Sequence, residues 1–442
     1  MNRTSLMEPV PDWDGFDDDL RLARVAAGTP ADFARFTIDG IRPERVLFPD
    51  SAEQVCRILQ SARARGVALV PAGFGAHLGL GGLPLRPFAA LSLASFNALV
   101  DHQPANMTVT AQAGMSVAAL QAALAGSNQW LPVDPPLPAA TSVGGLISAD
   151  LSGPSRFSQG TVRDLLIGIT VARADGTLAK SGGRVVKNVA GYDLAKLYCG
   201  ALGTLGVIVE ATFKLRGLPP ALAVGRMTCS DMAEARELLE RIRTAPLEPR
   251  LIELLTPVPA GGGDCIIVVG FGGSDEDVAD QQTTLRALVH GQTLEEQVGE
   301  DAVAVLADLR DANVLGGGLL KLKASLLPTG LTAFVAALEN ASAEHGVTMA
   351  VQAHAGNGIV RVRVQRTEVE NTSRSARALV EELRAAATAL GGTLVVEQAA
   401  PDVKADLDIW GGGIEALPLM RRIKEALDPE GVLSPGRFVA GI

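Results

Sequence analysis

Residues 138–154, PAATSVGGLISADLSGP, form a stretch of chain with almost no side chains. Most positions are Gly, Ala, Ser or Thr. The apolar exceptions are aliphatic, and there is no Lys, Arg, Glu or aromatic ring. A backbone this bare has two uses. Either two chain elements pack very closely, or something large and flat lies directly on the main chain, where a Cβ of any size would hold it off.

Two further segments share the character. PAGFGAHLGLGG, residues 71–82, follows a short apolar run, and GALGTLGVIVEATFKL, residues 200–215, places Gly203, Thr204 and Gly206 before a strand-like run. Gly73, Gly75 and Gly79 approximate a dinucleotide fingerprint. That fingerprint needs a helix immediately afterwards, to bring its N-terminus to a pyrophosphate. HLGLGGLPLRP follows instead and cannot begin one. No GxxxxGK[ST] motif is present, which excludes a P-loop. A loop rich in backbone N–H groups still binds phosphate without a helix, as a nest. Three glycine- and hydroxyl-rich segments, separated by ordinary structure, suit a long ligand with a pyrophosphate in its middle.

Composition narrows the class. A chain of 442 residues exceeds one ordinary core, so two or three domains are expected. A net charge of −10 argues against nucleic acid or an anionic membrane as partner, and an aromatic content of 4% leaves few stacking platforms. Cys56, Cys199, Cys229 and Cys265 are scattered without a CxxC pair, so free thiols in an intracellular protein are expected. The N-terminus lacks an apolar signal-peptide core, and no run is long enough to span a bilayer.

Residues 1–35, with an acidic run at Asp17–Asp19, read as an acidic, loosely docked N-terminal arm. Residues 36–218 read as one domain: strand, helix and strand over 45–72, strands near 91–93 and 107–112, and a helix over 116–125. A hairpin over 165–183 turns at Asp175-Gly176, and a helix spans 190–199. The Pro-Gly exit at 217–220 is the expected boundary. Residues 219–400 alternate helices (232–243, 276–289, 330–342, 372–390) with strands (251–255, 265–270, 348–353, 358–364, 393–397). That order predicts an α+β domain with an antiparallel sheet. Residues 401–442 hold a helix over 416–427 and a Pro/Gly-punctuated end.

The pieces FPDSAEQV, PAGFGAHLGLGG, ATSVGGLISADLSGPSRFSQGTVRDLLIGITVARADG and LGTLGVIVEATFKL fall in order across residues 45–215. Together they resemble the FAD-binding family typified by vanillyl-alcohol oxidase and p-cresol methylhydroxylase. GGRVVKNVAGYDLAKL and IKEALDPEGVLSPGRF look more closely like the FAD-binding E-type subunits of bacterial glycolate oxidases. The resemblance implies an α+β chain: a PCMH-type FAD-binding domain of two subdomains, a C-terminal cap, and a final segment returning to the flavin domain. It implies one FAD, with Gly73, Phe74, Gly75, Ala76 and His77 at the pyrophosphate. Thr141, Ser142, Gly144, Gly145, Ser148 and Asp150 would run past the ribityl chain and ring, and Gly206 and Val207 would flank the adenine side. The loop commonly reads GGGT in that family and GFGA here, which removes one hydroxyl hydrogen bond of about 1 kcal/mol. Covalent members often carry a His where Gly75 stands, so non-covalent FAD is expected.

Related D-2-hydroxy acid dehydrogenases place base and metal ligands in a motif like HxGDGNxH and in a Glu-His pair. Here HAGNGIVR, residues 354–361, keeps His354. Asn357 replaces the acid, Ile359 the amide and Arg361 the second His, and the pair becomes Glu397-Gln398. Such a set is a poor divalent-cation site, so no metal is expected. His354 is either a base beside the flavin or a residual structural histidine. Lys321 and Lys323 either attract a substrate carboxylate or are solvated strand lysines, and Lys187 and Asn188 are expected near the cofactor. The resemblance implies oxidation of a small 2-hydroxy acid, glycolate to glyoxylate, with electrons passing to an iron–sulfur subunit beside a homologous FAD-binding catalytic subunit. It places the protein in the cytoplasm, reaching the inner membrane only through partners. The alternatives are a self-sufficient FAD-dependent 2-hydroxy acid dehydrogenase and a non-catalytic assembly subunit.

Overall fold

The computed structural model describes residues 10–183, 193–258, 265–289, 292–312, 314, 318–365 and 373–442. Lys187 and Asn188 lie outside the described residues.

Helix Ala52–Arg65 shows how the first core is written in sequence. Ser51 caps it by accepting from the Gln54 amide, and Gly66 ends it at φ +67°. Val55, Ile58, Leu59 and Ala62 recur at helical spacing and are fully buried. They pack on a small sheet of strands Ala26–Ala27, Arg45–Phe48, Phe88–Ser92 and Ala68–Ala72, in that spatial order, the last three parallel. The free edge at Ala68–Ala72 is covered by the chain's end. Leu69 donates its amide to the Val432 carbonyl at 2.8 Å and accepts from the Ser434 amide at 2.8 Å.

A second sheet is antiparallel, ordered Leu99–Gln103, Thr108–Gln112, Val207–Lys214, Leu166–Ala172 and Leu178–Gly182. Helices Val117–Ala125 and Val143–Ser148 share its core. The hairpin expected at Asp175-Gly176 is there, with Gly176 at φ +76°.

The remaining sheet has eight strands, every neighbouring pair antiparallel. Its order is Leu294–Val298, Ala221–Cys229, Cys265–Gly273, Leu251–Val258, Thr348–His354, Ile359–Gln365, Leu320–Ser325 and Thr393–Ala399. One face is apolar and lies under helices Met232–Thr244, Leu331–His345 and Ser373–Ala389. The other face is covered at one end by helix Gly299–Asp311. Elsewhere it is polar. Opposed residues of an antiparallel pair share a face. The registers Glu253↔His354, Gln352↔Arg361, Lys323↔Arg361 and Lys321↔Arg363 therefore gather these charges on one side.

One expectation is corrected. The N-terminal residues are not a loose arm: Trp13–Leu22 is a helix with Phe16 fully buried and Leu20 nearly so. The acidic run that suggested a solvated tail is partnered. Asp17 pairs with Arg45 at 2.8 Å, and Asp19 accepts from Ser61 at 2.7 Å and meets Arg65 at 3.2 Å. Strands Leu99–Gln103, Ala221–Cys229 and Leu294–Val298 and helix Gly299–Asp311 are present beyond those expected from sequence. Among the described residues, no helix is long and apolar enough to cross a membrane.

Candidate active site

The loop after strand Ala68–Ala72 has its carbonyls tied back. Ser92 Oγ donates to the Gly73 carbonyl at 3.0 Å, and Arg35 Nε to that of Phe74 at 2.6 Å. Arg437 donates to the carbonyls of Leu78, Leu80 and Gly82. Lys404 Nζ reaches Gly79 O at 2.5 Å, Gly81 O at 3.2 Å and the Asp39 carboxylate at 2.7 Å. Burial pushes Lys404 down from its ordinary value and Arg437 down to about 10. Among the described residues, the amides of Phe74, Gly75, Ala76 and His77 have no acceptor. A loop with restrained carbonyls and unanswered amides is an anion-binding concavity.

The bare stretch faces this loop. Ser142 caps helix Val143–Ser148, accepting from the Gly145 amide at 3.1 Å. A Cβ on Gly73 would stand 2.0 Å from Ser142 Oγ. Thr141 is fully buried behind, donating its hydroxyl to the Pro136 carbonyl at 2.7 Å. That hydroxyl has one hydrogen, so it accepts from His77 Nε2 at 2.7 Å, and neutral His77 carries its proton on Nε2. Burial holds His77 down to about 4, which keeps the ring neutral at ordinary pH.

Three hollows lie in series along one groove, each sharing lining residues with the next. The first, about 370 Å³, lies between Gly73, Gly144, Gly145, Gly203, Gly206 and Val207. It shares Gly73, Ser142, Gly145 and Ser148 with a second of about 550 Å³ that runs along Phe74–His77. The second shares Ala76, His77 and Leu80 with a third of about 800 Å³, which opens between this domain and the polar face of the eight-stranded sheet.

That third hollow is lined by charge. His354 is 2% exposed, and its Nδ1 lies 2.6 Å from Glu253 Oε1, itself fully buried. Its Nε2 lies 2.7 Å from Arg361 Nη1. A guanidinium only donates, so Nε2 accepts, Nδ1 bears the hydrogen, and Glu253 receives it. Gln352 donates to the other Glu253 oxygen at 2.8 Å and to the Leu309 carbonyl at 2.9 Å. Arg361 Nε stands 3.6 Å from Glu397. Lys321 lines the hollow, donating to the Val314 carbonyl at 3.1 Å. Burial lowers the pKa of Lys321 and Lys323. The reading of these two as solvated strand lysines is therefore corrected: burial lowers the pKa of both, and they lie on the polar face of the eight-stranded sheet. Opposite, Asp134 accepts from the Gly153 and Ser155 amides at 3.2 and 2.8 Å, and burial raises its pKa. The cluster sets one histidine among three cationic side chains, Arg361, Lys321 and Lys323, and three carboxylates, Glu253, Glu397 and Asp134, an arrangement that can orient a polar substrate and accept a proton from it.

Gly73, Phe74, Gly75, Ala76, His77, Ser142, Gly144, Gly145, Ser148, Gly206 and Val207 all line the groove. Thr141 supports it through His77. Asp150 lines none of the three hollows; it sits at φ +46° with Oδ1 buried and without a hydrogen-bond partner. His354 lies in the third hollow. Among the described residues, no three His, Cys, Asp or Glu side chains gather to hold a metal. The sequence reading missed Glu253, Gln352, Lys404 and Arg437. Glu253 had a signal: a single carboxylate inside the apolar run LIELL must find a partner if that strand is buried.

These residues fit FAD. The unanswered amides suit a pyrophosphate, and the glycine floor that a Cβ would fill suits a flat ring system. The chain matches the FAD binding domain family over residues 43–182 and the C-terminal domain family of FAD linked oxidases over residues 250–438. It is 25% identical over 430 residues to the glycolate oxidase subunit GlcD of Bacillus subtilis (strain 168), covering 90% of this chain and 89% of that protein. It is 36% identical over 143 residues to the glycolate oxidase subunit GlcE of Escherichia coli (strain K12), covering 32% and 41%. Its fold is that of p-cresol methylhydroxylase with substrate bound, at a TM-score of 0.75 and 16% identity, covering 96% of this chain and 95% of that one. With an amide-lined groove in one matched domain and a charged chamber in the other, this chain belongs to the FAD-linked oxidases and is an FAD-dependent oxidoreductase.

Proposed function

We propose that the protein oxidises a small 2-hydroxy acid at its CH–OH group, glycolate to glyoxylate, as the FAD-binding subunit of a glycolate oxidase complex. The observation that carries this reading is the continuity of the groove. It leads from the amide loop to a chamber where His354 sits with Arg361 and Lys321. FAD, when bound, accepts the electron pair that leaves the carbinol carbon and releases electrons singly to a partner. The chain's own groups do the rest. His354 Nε2 takes the hydroxyl proton, Glu253 holds the imidazole in the Nδ1–H tautomer, and the cations receive the carboxylate. The loop Gly73–His77 and Ser142 hold the pyrophosphate; Gly144, Gly145, Ser148, Gly206 and Val207 form the glycine-rich floor and flank.

Binding is non-covalent in this reading. Burial pushes the Cys199 thiol up to about 12, so it is no thiolate. The electron acceptor is an iron–sulfur subunit, and a homologous FAD-binding subunit accompanies it, in the cytoplasm or at the inner membrane through those partners. One observation favours a self-sufficient substrate half-reaction: base and cations all belong to this single chain.

Purification from its natural host tests all of this. Yellow protein that bleaches anaerobically with glycolate, releases its flavin on acid precipitation and copurifies with a chain of ferredoxin-type CxxCxxC spacing is the expected result. A yellow protein inert to glycolate overturns the substrate. A colourless protein that refuses added FAD, even with its companions supplied, overturns the cofactor site.

A further inference from the structure

We propose that Arg361 is a latch on the base: it holds the lone pair of His354 in the resting protein, and the carboxylate of the substrate draws it off. The proposal rests on the reading of His354 as the base. Its ground is the geometry of the two ring nitrogens. Nδ1 is committed to Glu253 at 2.6 Å, with both side chains buried, so the ring has no room to exchange its ends. Nε2 is then the only nitrogen with a lone pair, and Arg361 Nη1 donates to it at 2.7 Å. A lone pair that answers a guanidinium is not free to accept a proton. The resting arrangement is therefore a masked base.

Arg361 is held there weakly. Its other contacts are long: Nη2 to the Ser152 carbonyl at 3.4 Å and Nε to Glu397 at 3.6 Å. A substrate carboxylate offers two oxygens in the planar geometry that a guanidinium prefers, a stronger pairing than either. Lys321 on the neighbouring strand lines the same hollow and favours the same anion. When Arg361 turns to the carboxylate, Nε2 is released at the moment a hydroxyl stands beside it. The step itself moves a proton only. The substrate O–H bond breaks, an N–H bond forms at Nε2, and the resulting imidazolium faces Glu253. The electron pair follows the oxidation proposed above. An alcohol without a carboxylate meets the masked base, so the latch discriminates in turnover as well as in binding.

Single-turnover bleaching of the holoenzyme with glycolate and with its neutral isostere glycolamide tests this, in wild type, Arg361→Gln and His354→Gln. Losing a simple anchor lowers the glycolate rate and leaves glycolamide unchanged. Losing a latch lowers the glycolate rate, by roughly 10- to 100-fold, and raises the saturating glycolamide rate, by about fivefold or more. A glycolamide rate that stays level or falls in Arg361→Gln, while His354→Gln abolishes glycolate turnover, overturns the latch and leaves the base standing. Unchanged glycolate turnover in His354→Gln overturns the base and the latch together. A second readout needs no turnover. The chain has five histidines, and 15N-histidine spectra, assigned with His354→Gln, report whether Nε2 is capped. Oxalate is expected to shift that signal in wild type, whereas Arg361→Gln starts at the shifted position. A wild-type signal that ignores oxalate overturns the proposal. Should Arg361→Gln fail to fold, Arg361→Lys serves in both measurements.

Discussion

The two halves of the groove are built by opposite means. The flavin-domain half is made of main chain: glycines, capped helix ends and a loop whose carbonyls are restrained by Arg437 and Lys404. The cap-domain half is made of side chains: Glu253, Gln352, His354, Arg361, Lys321 and Lys323 project from four adjacent strands. A cofactor kept through every turnover suits a floor without rotamers, because nothing must be reordered to bind it. A substrate that arrives, loses a proton and departs suits side chains that move charge. The contrast predicts that mutations separate: those in one half empty the protein of flavin, and those in the other leave it yellow and slow.

The sharpest separation is expected at His354. His354→Gln should lower the rate of flavin reduction by glycolate by roughly 10²–10⁴-fold while leaving flavin content unchanged, read by stopped-flow bleaching and by absorbance ratio. Loss of flavin in this variant would break the comparison. Gly73→Val is next. Its side chain would enter space held by Ser142, at a cost of about 1–3 kcal/mol, so flavin retention should fall roughly 10- to 100-fold. Gly412→Ala has nothing within 4 Å and no left-handed φ, and serves as a control for glycine loss remote from the groove.

Lys404→Met should release two loop carbonyls and leave Asp39 without its cation. Flavin affinity is expected to drop about tenfold, measured by titrating flavin-free protein, with the bleaching rate of the loaded fraction intact. The smallest effect concerns acid. Folded His77 titrates near 4, against about 6.5 when unfolded. Between these values the unfolded chain binds a proton that the folded chain does not, so stability is full above about pH 6.5 and declines as pH falls towards 4. His77→Asn should flatten that decline by of order 1–2 kcal/mol, measured by urea unfolding of flavin-free protein at pH 5 and pH 7.

Much of the first half was legible before any coordinates. A missing side chain leaves a local mark, and Gly73, Ser142, Gly145 and Gly206 announced themselves by what their segments lacked. The hairpin at Asp175-Gly176 and helix Ala52–Arg65 were equally plain, since turn residues, caps and apolar spacing are local properties. The N-terminal helix was misread for a related reason. Its acidic residues suggest solvent until Arg45 and Arg65, brought from distant positions, neutralise them. Lys321 and Lys323 were misjudged similarly, because alternation along a strand shows two faces without showing what lies opposite each.

The sequence by itself determined the kind of floor this protein has, because a chain stripped of side chains has few physical uses and three such stretches in order suit one long ligand. It also placed one histidine, His354, in a segment with the neutral Asn357 and the cationic Arg361. Tertiary structure alone decided what surrounds that histidine. Glu253 and His354 are 101 residues apart, and only sheet register sets them 2.6 Å from each other. The polarity of the imidazole, the capping of its lone pair and the cations around it come from pairings between strands, and those depend on which edges meet.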